Sequence, residues 1–197
     1  MADTAYPVNP VPLIEPDVYE ACREFVLTYA LPALTPDTVI QDWRKHISLP
    51  PETDDYAVIS ILFDSQHGTA VETFIAPEPD KNKPGILTVQ ALVEVRVQID
   101  FCSEDDKARQ RARRLGIVAG SSIGAQFFNE RGMSALYAGD VRELSFTGAA
   151  NQFVKRYAIT LHLSLNEGIT VEYPYFDSAK ASRVEDADAH HPITRSF

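Results

Sequence analysis

The chain has 197 residues, enough for one domain with a sizeable core, and its composition is that of an ordinary soluble globular protein, 45% hydrophobic and 23% charged. The formal net charge is −10, all of it from the first half: residues 1–100 carry 16 acidic and 6 basic side chains, residues 101–197 carry 12 of each. An acidic chain is ill suited to gripping nucleic acid, no apolar run nears the roughly 20 residues of a membrane helix, and the acidic, proline-rich N-terminus is unlike a secretory signal.

Those features lead us to expect an intracellular product in which Cys22 and Cys102, two cysteines far apart in sequence, stay free thiols. Pro7, Pro10, Pro12 and Pro16 predict an extended arm over residues 1–16. Asp17 then caps a first amphipathic helix, in which Val18, Cys22, Phe25, Val26 and Tyr29 share a face and which Pro32 ends. Residues 35–55 read either as a short helix or as an extended piece, broken at Pro50-Pro51. Tyr56–Phe63 is apolar and β-branched and predicts a central strand. Gln66-His67-Gly68 predicts a turn into a second strand, Thr69–Ile75, and residues 77–85 an exposed loop.

From Val89 to Phe101 the odd positions are all apolar, and the even ones are mostly polar (Gln90, Glu94, Arg96, Gln98, Asp100). This period of two predicts a long antiparallel strand with one dry and one wet face. Ser103 sits where a helix N-cap belongs, followed by Glu104, Asp105 and Asp106 in a first turn. One long helix, about 104–130, is expected next. At about 100° per residue, Ala108, Ala112, Leu115, Ala119, Ile123 and Phe127 form the stripe that covers the sheet. Ile117, Val118 and Phe128 point elsewhere, so its second half must be buried on more than one side. Gly116, Gly120 and Gly124, at i, i+4 and i+8, leave a flat ridge for either the first helix or a neighbouring subunit. Gly132–Gly139 reads as a connector, Val141–Phe146 as a short strand, and Phe153–Leu165 as a strand with Tyr157, Ile159, Leu161, Leu163 and Leu165 on one face. Residues 178–197 are polar and unpatterned and read as a flexible tail.

No G-x-S-x-G, H-E-x-x-H, C-x-x-C or G-x-G-x-x-G motif occurs. His162, between Thr160 and Ser164, reads as a surface or interface residue, and Asp64 near His67 as a turn-stabilising aspartate before an acid–base pair. Lys107, Arg109, Arg111, Arg113 and Arg114 make one half of the long helix basic. Three readings stay open for it: a solvated face, salt bridges to the acidic half of another subunit, or contact with DNA phosphates.

From about Pro50 to Phe176 the order of segments resembles the phage neck and tail terminator proteins. The resemblance is carried by Tyr56-Ala-Val-Ile-Ser-Ile-Leu, Val95-Arg-Val-Gln-Ile-Asp-Phe, and the Ala-rich helix from Asp106-Lys-Ala-Arg. It continues through Gly132 to Leu144, ending in Asp-Val-Arg-Glu-Leu, and Phe153-Val-Lys-Arg-Tyr-Ala-Ile-Thr-Leu-His-Leu. It implies an α+β fold, with a twisted, mostly antiparallel sheet carrying the long helix and the N-terminal helix on one face. The organisation expected is an arm (1–16), a single domain (17–176) and an acidic tail (177–197). It implies a homohexameric ring at the head-proximal end of the tail tube, joined to the neck connector, with DNA only passing through the lumen, and neither active site nor cofactor. Under this reading Arg96, Arg109, Arg113, Gly116, Gly120, Gly124 and Phe128 are candidates for the subunit interface. Asp80, Lys81, Asn82 and Lys83 are candidates for contacts with tube or connector. The alternatives are another head–tail completion or tail tube protein, or a small α+β ligand-binding domain or enzyme with a cavity lined by Tyr157, His162 or Arg96.

Overall fold

Three long antiparallel strands frame the molecule: β3 (Tyr56–Ile75), β4 (Gly85–Ser103) and β8 (Phe153–Tyr173). At about 3.3 Å per residue each spans roughly 65 Å. They are seen in a computed structural model that describes residues 8–12, 16–42, 54–76, 84–103, 105–147 and 153–173. β4 is central, paired with β3 on one side and β8 on the other. A 3-10 turn (Pro36–Thr38) leads into β2 (Val39–Gln41), which lies parallel to β3 and pairs only with Ala57–Ile59. The far edge of β8 is covered in sequence by β1 (Val8–Pro12), β5 (Met133–Ala138), β6 (Arg142–Glu143) and β7 (Phe146–Thr147). The fold is α+β, with a mixed sheet and, among the described residues, three α-helices.

The alternation seen in the sequence sets the core. Val93, Val95, Val97 and Ile99 stand opposite Leu165, Leu163, Leu161 and Ile159 in register, so both strands turn their apolar face the same way. Helix α1 (Val18–Tyr29) lies on that face through Cys22, Phe25 and Val26; α2 (Lys107–Ala119) through Ala108, Ala112 and Leu115; α3 (Ser122–Asn129) through Phe127 and Phe128. Phe25 is the centre of an aromatic cluster, with ring centroids 5.0 Å from Tyr29, 5.1 Å from Phe127 and 4.8 Å from Phe128. Burial of one such ring is worth about 1.5–3 kcal/mol. Asp17 caps α1 as its sequence predicts, accepting from the Glu20 amide at 2.9 Å. Cys22 and Cys102 are free and buried.

Several expectations are corrected. The helix predicted over 104–130 is two helices. Gly120 closes α2, Ser121 is extended (φ −105, ψ 171), and its hydroxyl donates to the Val118 carbonyl at 2.6 Å. This break shifts the phase of α3, so Ile123 leaves the inward stripe and is exposed, while Phe128 joins Phe127 in the core. Ser103 is no cap; it ends β4, donates to Asp55 (2.6 Å) and accepts the Asp105 amide (3.3 Å). Gln66-His67-Gly68 does not turn the chain. β3 runs straight through, and Gly68 (φ 75) sits in an irregularity where the register slips between His67 and Val71. A positive φ serves a bulge as well as a hairpin turn. The supposed connector at 132–139 contains β5, and Val141–Phe146 holds parts of two very short strands, β6 and β7. Pro50-Pro51, residues 77–83 and the tail from 174 lie outside the described residues.

Candidate functional site

The face of the sheet opposite the helices is less wet than its sequence predicts. Glu94 and His162 are buried there, on neighbouring strands. Glu94 Oε1 accepts from His162 Nδ1 (2.7 Å) and Arg96 Nε (3.1 Å), and Oε2 from His67 Nε2 (2.8 Å). The three donors come from β8, β4 and β3, so one carboxylate ties the three long strands together. These bonds, His162's first and then those of His67 and Arg96, hold the Glu94 carboxyl down at about 2. Tyr137 of β5 stacks on the His162 ring at 3.9 Å, and the Arg96 guanidinium lies 4.3 Å from the centre of the Phe63 ring. Both oxygens of Glu94 are engaged, and among the described residues no three His, Cys, Asp or Glu side chains are placed to hold a metal ion. The arrangement fastens strands. Asp64, expected beside His67, is not His67's partner; Glu94 is.

A second polar cluster joins helices to sheet. Arg111 is 2% exposed, with Nε donating to the Pro32 carbonyl (2.8 Å) and Nη2 to Asp55 (2.9 Å). Arg114 reaches the Leu31 carbonyl at 3.1 Å. Burial alone would raise the Asp55 carboxyl, but hydrogen bonds from Ser103 and Arg111 and the charges of Arg111 and Lys107 leave it lowered. The basic run of α2 is therefore not one solvated face: Arg111 and Arg114 clasp the end of α1, and only part of the run faces outward. On the far side of the sheet Asp100, fully buried, accepts from Arg156 (2.8 Å) and Gln98 (3.0 Å).

The interface candidates scatter. Arg96 belongs to the Glu94 cluster. Arg109 and Arg113 are exposed and flank an open groove of about 530 Å³ with Val141, Glu143 and Tyr157. Burial, and then Glu143, raise the Tyr157 hydroxyl above its ordinary value. The glycines make no continuous ridge. A Cβ on Gly116 would stand 2.7 Å from Ile159 Cδ1 of the sheet, Gly120 ends α2, and a Cβ on Gly124 would stand 2.7 Å from the Ala119 carbonyl at the α2–α3 corner. Phe128 is wholly buried within its own subunit. Asp80, Lys81, Asn82 and Lys83 lie outside the described residues. Tyr157 is remote from Arg96 and His162, so the three do not line one cavity: it lines the groove beside α2, they the opposite sheet face.

Sequence reasoning missed the Glu94 and Arg111 clusters. Their partners lie 68 and 27 residues away for Glu94, and 79 and 56 for Arg111. The available signal was paired polarity: on β4 and β8, the positions of Glu94 and His162 fall on the same face.

Among the described residues no helix is long and apolar enough to cross a membrane. The family described as phage neck terminator protein matches residues 17–188. No curated protein gives a significant match.

Proposed function

The chain belongs to the phage neck terminator family, a structural component of the phage neck in the virion, and from that premise we propose that it closes the head-proximal end of the tail tube as a ring and joins it to the neck connector. The single observation that carries this reading is the family match over 17–188. The geometry is compatible with it. The described polar clusters fasten strands and helices, and the sheet runs on well past the described helices, with Phe74 and Ile169 exposed there. We propose six copies in the ring, as the family resemblance implies, with tail tube protein on one side and connector on the other. The net charge of −10 suits a lumen through which DNA moves without adhering. Assembly takes place in the host cytoplasm, and residues 17–176 act as one domain between an N-terminal arm and a C-terminal tail.

Imaging of particles made without this protein tests the reading. Tails of uncontrolled length, detached from filled heads, are expected. Particles with normal joined tails would overturn it, and heads that fail to retain DNA would move the protein to head completion.

A further inference from the structure

The helices cover only part of the sheet. The helix-packed core on β3, β4 and β8 runs to Ile59, Val93 and Leu165, yet the strands continue as residues 67–75, 85–92 and 166–173, where Val171, opposite Leu87, is still buried. Stepping by twos from the inward Val93 leads to Ala91, Val89 and Leu87, so the helix-side face carries on along this arm. In register beside them stand Phe74 opposite Leu87, Glu72 opposite Val89, Val89 opposite Ile169, and Ala91 opposite Glu167. Phe74 is 44% exposed and Ile169 43%. This surface has the make-up of a sheet face awaiting a helix, with carboxylates set among apolar side chains. The three arm segments hold three acidic residues, Glu72, Glu167 and Glu172, and no Lys or Arg; Glu72 and Glu167 lie on the helix-side face.

The complementary surface lies on the same chain. Residues 107–119 contain five basic residues and no acidic one. The stripe Ala108, Ala112, Leu115 faces its own sheet. Arg109, Arg113 and Ile117, at i, i+4 and i+8, form an outward stripe; the two arginines are exposed and Ile117 is 71% exposed. No ion pair with a described residue engages Arg109, Arg113 or Glu72. We infer that the outward stripe of α2 from one copy of this chain packs on the helix-side face of the arm of the next copy, with Arg109 and Arg113 meeting Glu72 and Ile117 meeting the apolar rows. The two surfaces are different patches of one molecule, so the contact is head-to-tail; such contacts repeat and close into a ring when the rotation allows. This deepens the ring proposed above and rests on it.

Charge swapping in the full-length chain tests the contact, read by sedimentation velocity with and without tail tube protein. One variant carries Arg109→Glu and Arg113→Glu, the other Glu72→Lys. Each alone is expected to need at least about ten times the wild-type concentration to assemble, since close interfacial charge pairs couple by 1.5 kcal/mol or more. Mixed in equal amounts the two variants are expected to regain assembly, because each supplies the surface the other now lacks. All three side chains are exposed, so unchanged thermal melting is expected and separates lost contact from lost fold. Wild-type chain that stays monomeric in both conditions overturns ring and contact together. Wild type that assembles while both variants assemble equally well, or while their mixture gains nothing, overturns this contact and leaves the ring standing.

Discussion

Between Val93 and Phe101, β4 is roofed by three helices, and the odd side chains of this stretch are buried. Between Gly85 and Leu92 the same strand keeps apolar residues at its odd positions from Leu87 on and the same two neighbours, but Leu87, Val89 and Ala91 are only half-buried and Ile86 and Leu92 are exposed. The hydrogen-bonded ladder is thus continuous while the packing is not. Backbone pairing holds a strand's shape, and apolar contact supplies most of its stability. The roofed body stabilises the subunit. The arm carries apolar surface that a lone subunit leaves in water, a pattern associated with association surfaces.

Substitutions that strike the body are expected to dominate stability. Phe25→Ala removes the hub of the aromatic cluster and is expected to cost about 3–5 kcal/mol in urea unfolding. Arg111→Met leaves Asp55 without its buried partner. The cost expected is about 2–3 kcal/mol, below the usual range for a buried pair because the Asp55 side chain keeps 26% exposure. Either result within about 0.5 kcal/mol of wild type would break the contrast between body and arm.

Acid probes the body more gently. The Glu94 carboxyl titrates at about 2 in the folded chain, against about 4.3 for a free glutamate. A folded value below the unfolded one means that its contribution is full above pH about 4.3 and disappears as pH falls towards 2. Melting temperature is therefore expected to drop across that window, and Glu94→Gln to flatten this limb. Asp55, also lowered, adds to the same limb, so a residual slope in Glu94→Gln is expected. An identical acid limb in the two proteins would show that Glu94 is not a strand fastener. Smallest of all is the arm: Val71→Thr, at a site 57% exposed, is expected to stay within about 0.5 kcal/mol in the isolated chain.

What the sequence discloses follows the same division. The alternation from Val89 to Phe101 and from Tyr157 to Leu165 names the dry face correctly, because period-two burial is local information. Asp17 as a helix cap is likewise local. The break of the helix at Gly120-Ser121 is not, since an isolated Gly is tolerated in a helix and only the packing of Phe127 and Phe128 against Phe25 makes a corner worthwhile. Gly68 was ambiguous for a similar reason: the same residue suits a turn or a bulge, and the long partner strands decide it. Arg111 lies between exposed Arg109 and Arg113, and only the distant Pro32 carbonyl and Asp55 distinguish it. The extent of the roof was illegible as well, for the odd positions Leu87, Val89 and Ala91 stay apolar where the helices stop.

Hydrogen exchange on the free full-length chain and on the assembled particle addresses the central claim most directly. The account predicts that amides of Val93–Phe101 and Ile159–Leu165 exchange alike in both states, while those of residues 85–92 and 166–172 gain strong protection on assembly. An arm equally open in both states, with new protection confined to the body, would contradict it.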